Sequence, residues 1–178
     1  RNDWLFGQFN DQVWFYEPPL LTTILALIYK TAGPSEFWLR LPNALSGLLI
    51  IIITYKLSIL ITKSKTASLA SSLILLSDIE FLFRSRSINV EIPLTLLLIA
   101  SLTTLYYTKQ SPKLKLYCLS FFLLGLSFIT KRASPILAIP AYVSLLLLKP
   151  QSKKHLFNIL AGLIVFVAIS SPWFILQF

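Results

Sequence analysis

Two arginines and one glutamate lie close together in the middle of the chain, at Arg84, Arg86 and Glu91. A guanidinium group binds phosphate oxygens through two parallel hydrogen bonds and keeps its charge, so an arginine pair suits a phosphate-bearing ligand. The functional interpretation is that the guanidinium groups and the carboxylate share one cavity. Asp78 and Glu80 precede the first arginine and add two further acids to this part of the chain.

The same residues also have a structural explanation. Pro93 fits the first turn of a helix, where its missing N–H costs nothing, and Asn89 is a suitable N-cap. Glu91 would then be an acid favoured by the helix dipole. The two preceding acids would pair with Arg84 or reach interfacial water. Both interpretations stay open at the level of the sequence.

A second group of cations follows Thr130, where Lys131 and Arg132 stand side by side. A structural explanation of this pair is ordinary capping of a helix that ends at Thr130. His155 lies in a lysine-rich stretch and is predicted to be a solvated loop residue. Histidine, cysteine and carboxylate side chains do not occur with metal-ligand spacing. No cofactor is therefore assigned, and a divalent metal held partly by residues outside this sequence stays open.

The composition indicates which elements must position these side chains. The chain has 178 residues, of which 56% are hydrophobic and 13% charged, with a mean hydropathy of +0.74 and a formal net charge of +9. A disordered or nucleic-acid-binding chain of this charge would carry more charged and fewer apolar residues. The composition favours a polytopic membrane protein. Because the first residue is Arg1 and methionine is absent, we expect the sequence to be a piece of a longer protein.

Long apolar stretches separated by short charged loops predict six membrane-spanning helices. The stretch from Pro18 to Tyr29 is too short to span and is predicted to be a helix lying in the membrane interface. We therefore predict an all-α fold, a polytopic transmembrane helix bundle. Residues 1–37 would form an outer loop with the interfacial helix, and residues 38–178 would form six spans of the same domain. The predicted spans are Trp38–Ile61, Thr66–Phe83, Ile92–Thr108, Leu114–Thr130, Ala133–Leu148 and Leu156–Phe178.

The loop charges predict the orientation in the membrane, because lysine and arginine collect on the cytoplasmic side. Alternate loops, at residues 63–65, 109–115 and 149–154, contain lysines and no acid. All seven carboxylates fall on the opposite side, together with the arginines and tryptophans. We predict an integral protein of a bacterial or archaeal plasma membrane with its candidate site facing outward. The lysine loops would contact anionic membrane lipids, and no nucleic-acid partner is predicted.

Short motifs occur in order along nearly the whole chain. They are Asn2–Leu5, Trp14–Leu20, Ser35–Leu45, Arg86–Thr95, Thr130–Lys131 and Ser171–Phe174. In these motifs the sequence resembles the membrane glycosyltransferases of the GT-C class. The resemblance is to the bacterial and archaeal relatives of dolichyl-phosphate-mannose protein mannosyltransferase, including the aminoarabinose transferase of lipid A. Each motif alone is weak evidence of family membership. Together the motifs are specific for the superfamily but not for a substrate.

The resemblance implies a glycosyltransferase that moves a sugar from a polyprenyl-phosphate donor to an acceptor on the extracytoplasmic side. It places Arg86 on the family's arginine, Glu91 on its acidic residue before the proline, and Lys131 on the lysine of its Thr-Lys-Gly element. Arg86 and Glu91 are thereby the candidate catalytic residues, and Glu91 would orient an arginine, the sugar or a metal. The candidate ligands of the donor phosphate are Arg84, Arg86, Lys131 and Arg132.

Three positions depart from the family pattern. Glu17 stands where many relatives have lysine or histidine beside the proline pair, and a carboxylate there cannot clamp a donor phosphate. Asn89 occupies a position that is often a second arginine. Arg132 replaces the usual glycine and adds a cation. The family's catalytic acidic pair, which would supply the base, would lie upstream of Arg1.

Sugar transfer of this kind needs a base for the acceptor hydroxyl and cations that stabilise the departing lipid phosphate. Inversion of the anomeric centre is the family's expectation. The acceptor stays open among lipid, glycan and protein. The main alternative function is a polytopic transporter or lipid flippase, for which we would expect ionisable residues or interrupted helices near the bilayer midplane. A non-catalytic membrane subunit is a third possibility, which a full-length protein without the upstream acidic pair would favour.

Overall fold

The chain is mainly helical in the computed structural model, which describes residues 7–9, 12–14, 18–132, 134–147 and 153–175. Within these residues the helices follow the predicted apolar stretches, and a 3-10 helix, Ser134–Ala138, precedes the seventh α-helix. The α-helices are α1 Leu20–Ala32, α2 Glu36–Thr62, α3 Lys65–Ser77, α4 Ile79–Arg86, α5 Glu91–Tyr107, α6 Leu114–Phe128, α7 Ile139–Leu147 and α8 Lys153–Ile175.

A short hairpin departs from the predicted all-α fold. Strands β1, Gly7–Phe9, and β2, Gln12–Trp14, pair antiparallel, with Gly7 opposite Trp14. The hairpin lies in the predicted outer loop, where no continuous apolar stretch imposes a helix. All the other regular elements that the structure describes are helices, as predicted.

The chain divides into two compact units, residues 21–99 and residues 1–20 with 100–178. In the first unit, α3 and α4 pack on α2 around the buried side chains of Ile50, Phe81 and Ile92. Gly47 allows α4 to approach α2 closely. A Cβ at Gly47 would lie 2.6 Å from Oγ and 2.9 Å from Cβ of Ser85. Small residues at such crossings let helix backbones come together.

The second predicted span, Thr66–Phe83, is wrong as a single straight helix. Helices α3 and α4 form an angle of 66° at Asp78, which has an extended backbone. Oδ1 of Asp78 accepts hydrogen bonds from the backbone N–H groups of Glu80 at 2.9 Å and Phe81 at 3.3 Å. Because these two N–H groups are satisfied by a side chain, a new helix starts at this point. Asp78 is therefore a capping residue between two helices.

The fifth predicted span, Ala133–Leu148, is also not one continuous α-helix. The 3-10 helix occupies its first half and α7 its second half. Pro140 has no N–H for an intrahelical hydrogen bond, so it is tolerated in the first turn of a helix but not in the interior. The α-helix accordingly begins at Ile139.

In the second unit, α6 packs along α8. Glycines again lie at the contact. A Cβ at Gly125 would lie 3.1 Å from Cβ of Ile169, and one at Gly162 would meet the ring of Phe121. The close α6–α8 contact therefore depends on the missing side chains of two glycines.

A buried polar network connects α5, α6 and α7 in this unit. The Tyr142 hydroxyl hydrogen-bonds with the hydroxyls of Ser101 and Ser120. Each serine hydroxyl also donates to the backbone carbonyl of the other serine at 2.9 Å. Since all three residues are buried, each satisfied hydroxyl avoids the cost of an unpaired polar group in an apolar interior.

By length and composition, α2 and α8 could each cross a membrane, and α3 with α4 would make a third span if the bent pair is one span. Helices α1, α5 and α6 are shorter and apolar. Large apolar side chains such as Leu48, Ile74 and Ile164 are exposed. Such a surface suits lipid better than water. The predicted helical fold with candidate membrane spans is thus confirmed for the described residues, and the bundle of six spans stays a prediction.

Candidate functional site

Arg84 joins the end of α4 to the start of α5. Its Nε lies 2.5 Å from Oε1 of Glu80, one helical turn earlier, and its Nη1 lies 3.8 Å from Oε2 of Glu91. The predicted pairing of Glu80 with Arg84 is confirmed. Glu91 both faces this guanidinium and lies in the first turn of α5, where the helix dipole favours an acid. The helix-start interpretation of Glu91 is therefore confirmed, and a cavity that it shares with both arginines stays a prediction.

Asn89 organises the loop between these helices. Its Nδ2 donates to the carbonyl oxygen of Arg84 at 2.6 Å, and its Oδ1 accepts from the backbone N–H of Ile92 at 3.2 Å. The predicted capping role of Asn89 is confirmed. One side chain thus satisfies the last turn of α4 and the first turn of α5.

Asn43 of α2 is also hydrogen-bonded to this loop. Its side chain is fully buried, and its Nδ2 donates to the carbonyl oxygen of Asn89 at 2.8 Å. The Oδ1 of Asn43 has no hydrogen-bond partner in the described part of the chain. Sequence reasoning missed this contact, because no local pattern connects two residues separated by 46 positions. A signal that could have found it is the amide side chain itself, which lies among mainly apolar residues of α2 within the motif Ser35–Leu45.

Arg86 faces a different direction from Arg84, because residues two positions apart lie on nearly opposite sides of a helix. It is exposed and makes no hydrogen bond or ion pair with any residue that the structure describes. Its side chain borders a pocket of about 470 Å³. The residues lining this pocket are Arg40, Ile79, Leu82, Phe83, Arg86 and Ser87.

Lys131 and Arg132 follow the terminal turns of α6 in the second unit. The backbone N–H of Lys131 donates to the carbonyl oxygen of Ser127 at 3.1 Å. The guanidinium of Arg132 lies over the ring of Trp173, 5.2 Å from its centroid. Trp173 is buried, so the arginine stacks on a fixed aromatic surface. These two cations belong to one unit, and Arg84, Arg86 and Glu91 to the other.

The prediction that His155 is a solvated loop residue is wrong. Helix α8 begins at Lys153, which places His155 in its first turn, and only 6% of its surface is exposed. Nδ1 of His155 lies 2.7 Å from the hydroxyl of the fully buried Tyr117 on α6. The helix start turns this position towards the α6–α8 contact, so a polar side chain becomes part of the interior.

Three acids of the predicted outer loop, Asp3, Asp11 and Glu17, lie outside the described residues. Among the residues that are described, no three histidine, cysteine, aspartate or glutamate side chains come together in a group that could hold a metal ion. The described part of the chain therefore assigns no ligands to a divalent metal.

The fold is shared with a solved class of membrane protein. Crystal structures of ArnT from Cupriavidus metallidurans, in the apo state and bound to undecaprenyl phosphate, match this chain with TM-scores of 0.75 and 0.77. Sequence identity is 22% and 21%, and the match covers 98% of this chain in both cases, against 34% and 33% of ArnT. At this identity the likeness establishes the fold alone.

The sequence comparison defines the family. The dolichyl-phosphate-mannose-protein mannosyltransferase family model matches residues 16–175, and the chain belongs to this family. The resemblance inferred from the motifs is thereby confirmed. An uncharacterized protein of Aquifex aeolicus (strain VF5) is 30% identical over 178 residues, 99% of this chain and 36% of that protein. YkcB of Bacillus subtilis (strain 168), named as a candidate mannosyltransferase, is 28% identical over 162 residues, 88% of this chain and 22% of YkcB.

Proposed function

We propose that the protein transfers a sugar from a polyprenyl-phosphate donor to an acceptor on the extracytoplasmic side of the membrane. Family membership supports a sugar transferase. The observation on this chain that carries the proposal is the Arg86 guanidinium, which is unpaired among the described residues and borders a pocket with apolar walls. Arg84, near the same end of α4, points in a different direction and faces Glu91 of α5, so a second cation and a carboxylate lie close by in the chain.

In the proposed reaction, an acceptor hydroxyl oxygen forms a bond to the anomeric carbon of the sugar. The bond from that carbon to the phosphate oxygen breaks, and the lipid phosphate leaves with the bonding electron pair. The hydroxyl proton passes to a base, which the family resemblance places upstream of Arg1. Attack opposite the leaving phosphate would invert the anomeric centre.

The cations would act on the departing phosphate, where negative charge concentrates. Arg86 would bind its oxygens through paired hydrogen bonds. Lys131 and Arg132 are the further candidates for this role. Arg84 already faces Glu80 and Glu91, so its charge would serve mainly to orient Glu91, which in turn would position the sugar or the acceptor.

The proposed membrane arrangement follows the sequence prediction. Residues 1–37 would form an outer loop with α1 lying in the interface, and residues 38–178 would provide six spans of one transferase domain. The enzyme would lie in a bacterial or archaeal plasma membrane with its site outward. Its partners would be the lipid-linked donor, membrane lipids and a lipid, glycan or protein acceptor.

A transporter or lipid flippase is less well supported. Such proteins are expected to carry ionisable residues or interrupted helices near the bilayer midplane. Helices α3 and α4 are an interrupted pair, so the comparison depends on the charges and on the family. Helix α2 has no charged residue between Arg40, near its first turn, and Lys56, near its last turns. This distribution and the mannosyltransferase family both favour the transferase.

The proposal is tested by transfer of a labelled sugar from polyprenyl phosphate, using the full-length protein in liposomes. We expect Arg86→Ala to reduce kcat roughly 100-fold, as loss of one preorganised charge-stabilising donor does elsewhere. Glu91→Gln should also reduce kcat. Glu80→Gln is the matched control, because it removes the other acid that pairs with Arg84 and should leave transfer near the wild-type rate. Undiminished transfer by correctly inserted Arg86→Ala and Glu91→Gln would contradict the site assignment.

A further inference from the structure

The pocket beside Arg86 contains a second guanidinium to which the proposed mechanism gives no role. Arg40 lies on α2, and its side chain lines the same pocket as Arg86 from α4. Arg40 lies within the motif Ser35–Leu45, but the resemblance assigns it no ligand-binding role. Two arginines on different helices thus border one pocket, so one ligand in it could contact both guanidinium groups.

Arg40 is available to a ligand. Within the described residues it forms an ion pair with Glu36, in which Nη2 and Oε2 are 3.1 Å apart. The side chains are 52% and 85% exposed, respectively. An exposed pair one helical turn apart contributes little stability, because water screens both charges. A phosphate with more than one negative charge can therefore replace Glu36 as the partner of Arg40.

The local charge balance favours this pocket over the neighbouring arginine. Arg84 faces two carboxylates, at 2.5 and 3.8 Å, so its positive charge is already offset. Arg40 and Arg86 together face one described carboxylate, that of the exposed Glu36. The pocket thus keeps a net positive charge that an anion would neutralise.

The remaining walls are apolar. Ile79, Leu82 and Phe83 line the pocket beside the guanidinium groups, and Ile79 and Phe83 are largely exposed. A small inorganic anion would leave these side chains uncovered. A phosphate ester with a hydrocarbon chain would cover them, and α2, which is long and apolar enough to cross a membrane, begins beside this pocket.

We infer that this pocket binds the phosphate head of a lipid. Arg40 and Arg86 hold its oxygens, and the first part of the hydrocarbon chain lies against Phe83 and Ile79. The inference rests on the proposed function for Arg86 and extends it by naming Arg40 as the second cation on the phosphate. A polyprenyl-phosphate donor and an ordinary anionic phospholipid share this chemistry.

The experiment measures lipid binding to the full-length protein in nanodiscs by native mass spectrometry, with three separate probes. These are a polyprenyl phosphate, phosphatidic acid and a polyprenol without phosphate. Arg40→Gln is expected to weaken binding of the phosphate-bearing lipid roughly tenfold, because one charge-assisted contact is lost, and to leave polyprenol binding unchanged. Arg40→Lys should be intermediate, since it keeps the charge but not the guanidinium fork.

Lys56→Gln is the matched control, since it removes an exposed cation from the other end of α2 and should change no affinity. Weakened binding of polyprenyl phosphate alone supports a donor site, and weakened binding of both phosphate lipids supports a general lipid-phosphate site. Wild-type affinity of Arg40→Gln for both phosphate lipids overturns the inference. Equal loss of polyprenol binding also overturns it, because the effect is then not on the phosphate.

Sugar transfer measured on the same preparations separates this inference from the proposed function. A wild-type protein that binds phosphate lipid through Arg40 but transfers no sugar contradicts the transferase and not the lipid site. An Arg40→Gln protein that transfers sugar with unchanged KM and unchanged lipid affinity contradicts the lipid site and not the transferase.

Discussion

Asn43 connects α2 with the loop that carries the candidate site residues. It is fully buried, its amide group donates to the carbonyl oxygen of Asn89, and Asn89 in turn caps both helices that present Arg84 and Glu91. A buried carbonyl that loses its donor bears the cost of desolvation without compensation. The position of the catalytic candidates therefore depends on a residue that contacts none of them directly.

Asn43→Ala is expected to lower the free energy of unfolding by about 1–3 kcal/mol, because it leaves the Asn89 carbonyl unsatisfied. It should also lower kcat for sugar transfer. The matched control is Ser46→Ala, which removes a buried hydroxyl one turn later on α2 whose partner is the carbonyl of its own helix, Pro42. Thermal unfolding in detergent measures both variants. If Ser46→Ala were as destabilising as Asn43→Ala, the loss would reflect packing and not the Asn89 contact.

At the scale of secondary structure, the orientation of α4 determines which groups each of its two arginines contacts. Asp78 starts this short helix at an angle to α3, and Gly47 lets its Ser85 face lie directly against α2. With that face buried, Arg84 and Arg86 point to different neighbours. Arg84 meets Glu80 and Glu91, whereas Arg86 meets the pocket with Arg40.

The α2–α4 contact predicts a specific double-mutant result. Gly47→Ala should reduce the free energy of unfolding by about 1–3 kcal/mol, because the added Cβ would overlap the Ser85 side chain. Ser85→Gly removes both clashing atoms, so it should cost less in the Gly47→Ala background than in the wild type. Unfolding of the four proteins of this cycle gives the coupling energy. Strictly additive effects would contradict the close approach of the two helices.

At the scale of the whole molecule, charge is separated along the predicted membrane normal. Lysines occupy the loops predicted to be cytoplasmic, and the described acids lie in or beside the opposite loops with Arg40, Arg84 and Arg86. With this predicted topology, the excess of positive charge is explained by the lysines of the loops predicted to be cytoplasmic. The side with mixed charges contains every residue proposed for catalysis.

This topology is checked by cysteine labelling in intact cells. The single cysteine, Cys118, is first replaced by serine, and Ile88→Cys and Gln110→Cys are then made separately beyond the two ends of α5. Both original residues are exposed. A membrane-impermeant maleimide should label position 88 from outside and position 110 only after permeabilisation. Labelling of both positions from the same side would contradict a membrane-spanning α5.

Local properties of the sequence accounted for much of the fold. Continuous apolar stretches predicted the helices α1, α2, α5, α6 and α8, because backbone groups in an apolar environment must be satisfied within their own segment. Asn89 and Glu91 could be assigned to a helix start because capping involves residues only a few positions apart. Family motifs identified the class of protein for the same reason, since each is a short contiguous pattern.

Contacts between distant residues could not be obtained in this way. The burial of His155 required α6 to pack against α8. The break at Asp78, by contrast, is a local capping contact that the continuous apolar pattern concealed. The Asn43–Asn89 hydrogen bond and the pocket shared by Arg40 and Arg86 arise because α2 and α4 cross at Gly47. Residue types and their local spacing set which groups could do chemistry. The crossing of the helices selected which of them meet, because side-chain packing acts between segments that are far apart in the chain.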